Sequence, residues 1–521
     1  MQIFKKQVQG KMPKASKNRA SKLAYVSTGQ PMLEGFITPF AKHLNAGNRW
    51  VVLAEKIPWD ELVNIYRKQL GNDRTGASSI NPRVVLGSLI IKHMCSLSDR
   101  ETVEQIQENM YMQYFIGYNS FSDEAPFDPS LFVEIRNRLG LDQINAMNER
   151  IIQLSVTQSH PSDEGKDPPA PPSENTSSSI DTAEERKPET PVTHKGKVIV
   201  DASACPQDIE YPTDLNLLND AREKSEELID FLYLELGDFK KPRTYRENAR
   251  KQYLKVAQKK VKSKKDLRKG IKKQLNFLRR NIKSINHLLD QYRVIPLKAH
   301  QYKYFFVIQT LYDQQAYMHE NKTHSVEHRI VSIHQPHVRP IVRGKTTANV
   351  EFGSKIHVSL MDGFACLEEL SWDAFNESTR LLAVIEQYKK RFGYYPQEVA
   401  ADKIYCTREN RRRLKELEIT LRAKPLGRPS AVKKEHVRPG ERNPIEGKFG
   451  QAKTAYGMNR IKARLQNTSE SWIATIILVL NLVRLTRSVL YSLIKSIWTI
   501  QFWTSKITST HRSLLVGVVN F

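Results

Sequence analysis

Three carboxylates in this chain stand where they could meet at one reaction centre. Asp201 ends one apolar, strand-like run, Asp402 ends a second, and Glu446 lies between two cations, Arg442 and Lys453. Two divalent metal ions acting on a phosphodiester need shared oxygen ligands, and the charge that develops on the phosphoryl group needs Arg or Lys beside it. These residue types therefore indicate a metal-dependent enzyme that processes DNA.

The segment around Glu446 is predicted to be the start of a helix. Asn443 and Pro444 are typical of a helix cap followed by a first-turn proline, which would place Arg442 just outside the helix. Glu446 and Lys453 are about two helical turns apart and would project from nearly the same face. The alternative for Glu446 is a capping role, in which its carboxylate accepts a hydrogen bond from the Asn443 amide.

The overall charge indicates a polyanionic partner. The formal net charge is +25 over 521 residues, which is more than solubility requires, and nucleic acid is the leading candidate. A membrane surface is second, because no short amphipathic anchor accompanies an acylation motif. The longest apolar run, 473–480, is too short to span a bilayer, so no membrane crossing is expected. Four widely spaced cysteines and the lack of a secretory signal favour a cytoplasmic, nucleoid-associated protein.

The chain is predicted to contain several units. Residues 45–150 show helical periodicity and form a helical domain, either a DNA-binding domain or a plain helical bundle. Residues 157–195 are rich in Pro, Ser and acids and form a disordered linker. Residues 196–487 form the catalytic domain. The apolar tail at 488–521 has no place in the predicted sheet; it could be an extra helix, mediate association or result from a shifted reading frame.

A basic, largely helical insertion at 210–340 follows the first strand. Between 251 and 283 its Leu and Ile residues form one apolar stripe and leave cations over the remaining faces. A solvated surface is the alternative, but the charge density favours contact with phosphates. The insertion residues predicted to bind DNA are Lys259, Lys260, Lys264, Lys265, Arg268 and Lys272. Lys424 and Arg428 lie in a basic loop before the last helix, and Lys403 follows Asp402.

The order of predicted elements indicates the fold class. Strands are predicted at 330–333, 350–352, 355–360, 365–370 and 419–423, besides those that end at Asp201 and Asp402. Helices are predicted at 376–391 and 407–417 and after 443. The order is that of an α/β, ribonuclease-H-like mixed sheet with a helical insertion after its first strand.

Several other residues invite functional readings that we do not adopt. Trp372 could stack on a DNA base, but a packed aromatic is the simpler interpretation. Asp208, Asp214 and Asp362 are rival acids that suit turns or caps better, and Asp is also common in turns at strand ends such as those of Asp201 and Asp402. No cysteine or acid completes a metal site around His324, His328, His334 and His337.

The motifs of this chain resemble those of the DDE transposases of bacterial insertion sequences, specifically the insertion sequence five family and its relatives. The resemblance is carried by the segments 200–203, 211–225, 329–345, 401–403 and 442–453. The family's signature on its last catalytic helix is Tyr, two residues, Arg, three residues, Glu, six residues, Lys. Arg442, Glu446 and Lys453 match its last three members, and Pro439 stands in the place of the Tyr.

The resemblance implies that Asp201, Asp402 and Glu446 are the catalytic, metal-binding triad. Two Mg²⁺ ions are expected, with Mn²⁺ as a substitute, because the ligands are hard oxygens. Arg442 and Lys453 are expected to contact DNA. Such an enzyme would bind the terminal inverted repeats of its element, hydrolyse the phosphodiester bonds there and transfer the 3′ ends to target DNA. Its partners would be double-stranded DNA, at the element ends and at the target, and a second copy of itself in a synaptic homodimer.

Two other functions stay open from the sequence. One is a catalytically inactive descendant that only binds DNA, whose function would survive replacement of the three acids. The other is a ribonuclease-H-like nuclease or resolvase, which would cut DNA without strand transfer.

Overall fold

The computed structural model describes residues 39–68, 80–159, 194–236, 240–342, 350–424 and 440–486. The chain divides into two compact units, whose described parts run up to Met147 and from Asn148 onward. Arg428, the tail at 488–521 and nearly all of the predicted linker at 157–195 lie outside the described residues.

Helices make up the regular structure described in the first unit. They are α1 (Pro39–His43), α2 (Arg49–Lys56), α3 (Trp59–Arg67), α4 (Pro82–Met94), α5 (Asp99–Glu108), α6 (Met110–Phe115), α7 (Leu131–Arg138) and the start of α8 (Leu141–Ser159). Pro82 is a first-turn proline, and the side chain of the cap residue Asn81 accepts a hydrogen bond from the Arg83 amide. The core forms around Trp59 and Phe115, which are fully buried with their rings 5.2 Å apart.

The second unit is built on a six-stranded mixed sheet. Its strands are β1 (Lys197–Pro206), β2 (Arg339–Val342), β3 (Val350–Met361), β4 (Phe364–Ser371), β5 (Glu398–Ala400) and β6 (Thr420–Arg422). They lie in the order β2-β3-β1-β5-β6, and β4 also pairs with β3. β1 is antiparallel to β3 and parallel to β5, which is parallel to β6. A tight turn joins β3 to β4 at Asp362 and Gly363, which both have positive φ.

The insertion after β1 is a helical layer with an apolar core of its own. Its helices are α9 (Asp214–Leu236), α10 (Arg246–Ala257), α11 (Lys264–Leu289) and α12 (Ala299–Asn321). Leu218, Leu278, Ile308 and Leu311 are fully buried together in that core. The described segments after β1 thus follow the predicted order of insertion, hairpin and alternating helices and strands.

The strand predicted at 330–333 is wrong. These residues form no strand, and Ile330 and Ile333 instead bury their side chains in the core of the insertion. Their β-branched, apolar character reflects burial in a loop rather than strand pairing. β2 was not predicted, because Pro340 reads as a strand breaker; it lies on an outer strand of the sheet order, where a missing amide is tolerated.

The remaining helices surround the sheet. Besides the 3₁₀ turns Glu377–Arg380 and Lys403–Tyr405, they are α13 (Leu381–Phe392), α14 (Arg408–Glu416), α15 (Asn443–Ala455) and α16 (Gln466–Thr486). Leu381, Val384 and Ile385 of α13 pack against Val198 and Val200 of β1 in one buried cluster. Because side chains alternate along a strand, this packing covers the face of β1 opposite to the side chain of Asp201.

α16 is long and apolar enough, by length and composition, to cross a membrane, but 78% of its most apolar stretch is buried. Such burial is also typical of a core helix. A buried polar cluster of Asn481, Asn148 and the Ala365 backbone connects α16 to the sheet. The Asn481 side chain donates to the Ala365 carbonyl at 2.7 Å and to Asn148 Oδ1 at 2.8 Å. It also accepts a hydrogen bond from the Ala365 amide at 2.8 Å. This polar cluster joins α8, β4 and α16.

Candidate active site

Asp201 and Asp402 lie at the same level on neighbouring parallel strands. Ile199 of β1 pairs with Ala400 of β5, and each aspartate is two residues beyond its member of that pair. The Asp201 carboxylate accepts a hydrogen bond from the Ala202 amide at 2.9 Å, and the Asp402 carboxylate accepts one from Lys403 at 2.7 Å. The structure therefore brings these two predicted site residues together through strand register.

Arg442 connects the two aspartates. Its Nη2 atom lies 2.9 Å from Oδ2 of Asp201, and its Nη1 atom lies 3.4 Å from Oδ1 of Asp402. The side chains of Arg442 and Asp201 are 20% and 18% exposed, whereas that of Asp402 is 50% exposed. Two carboxylates thus converge on one cation.

The surroundings of Asp201 favour its neutral form. Burial raises the pKa of its carboxyl above the usual 3.8, and the nearby acids Glu377 and Asp402 raise it further. The Arg442 guanidinium and the Ala202 amide oppose this shift without cancelling it. A carboxylate held ionised under such conditions binds a cation strongly, because the cation removes an existing electrostatic penalty.

Glu446 lies on the exposed first turn of α15, which packs against β1 and β3. Arg442 takes the cap position just before the helix, so its predicted place outside the helix is confirmed. The helix begins one residue earlier than predicted, because the cap is Arg442 rather than Asn443. The capping alternative for Glu446 is wrong, because the Asn443 amide donates to the Gly440 carbonyl instead, at 3.0 Å.

The triad is not assembled as a metal site. Within the part of the chain that the structure describes, no three His, Cys, Asp or Glu side chains form a group that could hold a metal ion. Asp201 and Asp402 therefore meet, but Glu446 does not complete a ligand group with them.

Two buried polar residues beside the aspartates were not predicted from the sequence. The His357 Nε2 atom of β3 lies 2.9 Å from the hydroxyl of Tyr405, which ends the 3₁₀ turn after Asp402. Burial lowers the pKa of His357 to about 4, and the cations Lys355 and Arg380 contribute. Burial also raises the pKa of Tyr405, as do the nearby carboxylates, first that of Glu377. Both residues are thus neutral at physiological pH.

The predicted DNA-contacting residues occupy accessible positions where they are described. Lys403 and Lys424 are exposed, after Asp402 and after β6 respectively, and Lys453 is partly exposed on α15. Two insertion residues are engaged locally: Lys259 pairs with Asp266 at 2.7 Å, and Arg268 donates to a backbone carbonyl. The exposed cations of the insertion are Lys259, Lys260, Lys264, Lys265, Arg268 and Lys272.

Two functional interpretations that we did not adopt from the sequence concern Trp372 and the histidines around His328, and the structure gives the contacts of both residues. Trp372 is buried, donates its indole N–H to Glu470 at 2.7 Å and packs edge-on against His337 at 4.4 Å. His328 lies outside any helix, with its Nδ1 atom 3.3 Å from an Asp373 oxygen. Trp372 is therefore a packed aromatic.

Comparison with known proteins gives matches to two transposase domains. A model described as a transposase DDE domain matches residues 399–483, and a transposase domain model of the DUF772 family matches residues 39–138. The first range contains Asp402, Glu446 and Lys453, and Asp201 lies outside it.

One curated relative is the uncharacterized protein ORF8 in the nfe locus of Rhizobium meliloti, 33% identical over 116 residues. The match covers 22% of this chain and 52% of the relative, so the chain spans about half the length of that protein. No solved structure matches the chain. The two domain matches confirm the resemblance that the motifs predict, since residues 39–138 and 399–483 are each similar to a transposase domain.

Proposed function

We propose that this chain is a metal-dependent DNA transposase with Asp201, Asp402 and Glu446 as its catalytic acids. It binds the terminal inverted repeats of an insertion sequence, hydrolyses the phosphodiester bonds at the element ends and transfers the 3′ ends to target DNA. The observation that carries the proposal is the convergence of Asp201 and Asp402, from neighbouring parallel strands, on a single cationic group.

The strand order supports a ribonuclease-H-like catalytic domain at 196–487. β1, β3 and β4 form the antiparallel part of the sheet, and β5 and β6 continue it in parallel with β1. In open sheets that contain parallel strands, sites form beyond the carboxyl ends of the strands. Asp402 follows β5 there, and the register places Asp201 at the same level.

Two of the three acids, Asp201 and Asp402, converge in a way that suits a hard divalent cation. Asp201 and Asp402 offer carboxylate oxygens that already share the Arg442 guanidinium, and Glu446 would add a third carboxylate from the exposed start of α15. These three residues would hold Mg²⁺, or Mn²⁺ in its place. In such sites the bound metal supplies activation of a water or hydroxyl nucleophile and neutralises charge on the leaving oxygen.

The chain's own cations have separate roles in this proposal. Arg442 holds the two aspartates close together in the DNA-free protein, and it turns to a DNA phosphate when the substrate binds. Lys403, Lys424, Arg428 and Lys453 contact the DNA near the reacting bond. The helical domain at 45–150 and the insertion bind the element end, and a homodimer brings two ends together.

Cleavage and joining of DNA by the full-length protein test the proposal. The substrate is a labelled duplex from the flank of the coding sequence that contains an inverted repeat, incubated with Mg²⁺ or Mn²⁺ and a target plasmid. We expect nicked ends and joined products, and losses of at least a thousandfold for Asp201→Asn, Asp402→Asn and Glu446→Gln. The matched control is Asp208→Asn, whose carboxylate pairs with the exposed Arg460.

The same experiment separates the other functions. Binding without cleavage, unchanged by the three substitutions, would indicate a DNA-binding descendant. Cleavage without joined products would indicate a nuclease or resolvase. Full activity of Glu446→Gln would remove Glu446 from the catalytic set.

A further inference from the structure

A cavity of about 650 Å³ opens on the insertion, at the segment that precedes α10 and at the first turns of α10. It is lined mainly by the segment 241–248 and by Lys251. Four of the lining residues are cations, Lys241, Arg243, Arg246 and Lys251, and one is an acid, Glu247. The cavity therefore has an excess of positive charge.

Two of these cations share one carboxylate of the protein. Asp230 of α9 accepts hydrogen bonds from Arg246 at 2.9 and 3.0 Å, and Lys241 lies 2.8 Å from the same carboxylate. This ion pair fixes the wall of the cavity to α9. It leaves Arg243 and Lys251 as the lining cations available to a ligand.

A tyrosine holds two arginines beside this cavity. The guanidinium of Arg243 lies 4.6 Å from the centroid of the Tyr245 ring, and that of Arg280, on α11, lies 5.3 Å from it. Within the described residues no carboxylate pairs with either arginine. Tyr245 itself adopts a left-handed backbone conformation, which is uncommon for a bulky residue. Cation–π contacts position a guanidinium without removing its charge, so both groups keep their capacity for an anion.

We infer that this cavity is a phosphate-binding site for duplex DNA, separate from the lysine-rich stretch at 259–272. Arg243 and Arg280 contact backbone phosphates, and Tyr245 holds the two guanidinium groups at the mouth of the cavity. The inference rests on the proposed function, because it takes DNA as the partner. The lysine-rich stretch has partners of its own, since Lys259 pairs with Asp266 and Arg268 bonds to the His319 carbonyl.

The salt dependence of DNA binding by the full-length protein tests this site. Each phosphate contact contributes about 0.9 to the slope of log K against log salt concentration for duplex DNA. The slope is therefore expected to fall in magnitude by about one for Arg243→Gln or Arg280→Gln, and by about two for the double variant. Arg243→Lys keeps the charge and should keep most of the slope.

The matched control is Lys322→Gln, which removes one exposed cation at the end of α12 and should leave the slope unchanged. Both arginines are exposed, so circular dichroism should show folded variants. An unchanged slope for the double variant, while the wild-type protein binds duplex DNA, overturns the phosphate site alone. Failure of the wild-type protein to bind duplex DNA at low salt overturns the proposed function, and this site with it.

Discussion

The guanidinium of Arg442 donates to the carboxylate of Asp201 at 2.9 Å across 241 residues of sequence. Its other terminal nitrogen lies 3.4 Å from Asp402. The DNA-free site thus contains its own cation, placed between two acids that are proposed to bind metal. Any metal ion that uses these oxygens must compete with Arg442.

Arg442→Gln is therefore expected to strengthen binding of Mn²⁺ to the DNA-free protein by on the order of tenfold. Charge-assisted hydrogen bonds contribute about 1.5–3 kcal/mol, and the lower end suits this partly exposed pair. Isothermal titration calorimetry measures the affinity directly. Arg460→Gln is the matched control, because Arg460 pairs with Asp208 at 2.8 Å, and it should not change the affinity. Equal or weaker binding by Arg442→Gln would show that Arg442 does not compete with the metal.

Asp201→Asn is expected to raise the thermal unfolding midpoint near neutral pH. Burial holds the pKa of Asp201 above 3.8, so the folded wild-type protein loses stability as the pH rises through the raised pKa. Asparagine does not titrate, and the gap between variant and wild type should open over that range. Below a pH of about 3.8 the carboxyl is protonated in both states, and the pH-dependent part of the gap should vanish. Melting curves between pH 3 and 8 measure it.

Asp128→Asn is the control, and it should shift the thermal unfolding midpoint in the opposite direction. Hydrogen bonds from the Ser130 side chain and amide lower the pKa of Asp128, so this carboxylate stabilises the fold above its usual pKa and loses that effect as the pH falls. Its replacement should lower the midpoint at neutral pH. If Asp201→Asn also lowers the midpoint as the pH rises, burial is not the dominant influence on Asp201.

Asn481→Leu is expected to lower the free energy of unfolding by about 3 kcal/mol. The substitution leaves the buried Ala365 amide and the buried Oδ1 atom of Asn148 without their Asn481 partner, and each unsatisfied buried group costs about 1–3 kcal/mol. The Ala365 carbonyl keeps its hydrogen bond from Asn148 at 3.0 Å. Urea denaturation measures the change. Asn286→Leu, at an exposed position of α11, should change it by less than about 0.5 kcal/mol. If Asn481→Leu lowers the free energy of unfolding by no more than this, the packing of the leucine compensates for the lost polar cluster.

The sequence predicted a strand end at both Asp201 and Asp402, because each closes a short apolar run. Asp402 does follow the end of β5, but Asp201 lies inside β1, which continues to Pro206 in its pairing with β3, and the register with β5 brings the two acids level. The sequence could not predict that Arg442 would contact both, since the contact depends on how α15 packs against β1. The role of Glu446 stays a prediction.

The predicted strand at 330–333 is wrong because its apolar side chains are buried without any strand pairing. Ile330 and Ile333 have strand-forming side chains, yet they pack in a loop against the helices of the insertion. His357 was overlooked for a related reason, because one polar residue inside a strand ordinarily marks the solvent face. Here its partner, Tyr405, comes from a 3₁₀ turn that a single sequence does not place.

The central pairing of β1 with β3 spans the whole helical insertion. Closing so long a loop in an unfolded chain is entropically unfavourable and slows nucleation. Because the insertion buries its own apolar core, it can collapse first and draw its two ends near each other. The assembly sequence of the sheet would then depend on the insertion, so destabilising Leu278 or Ile308 would delay formation of a reaction centre that neither side chain is proposed to touch.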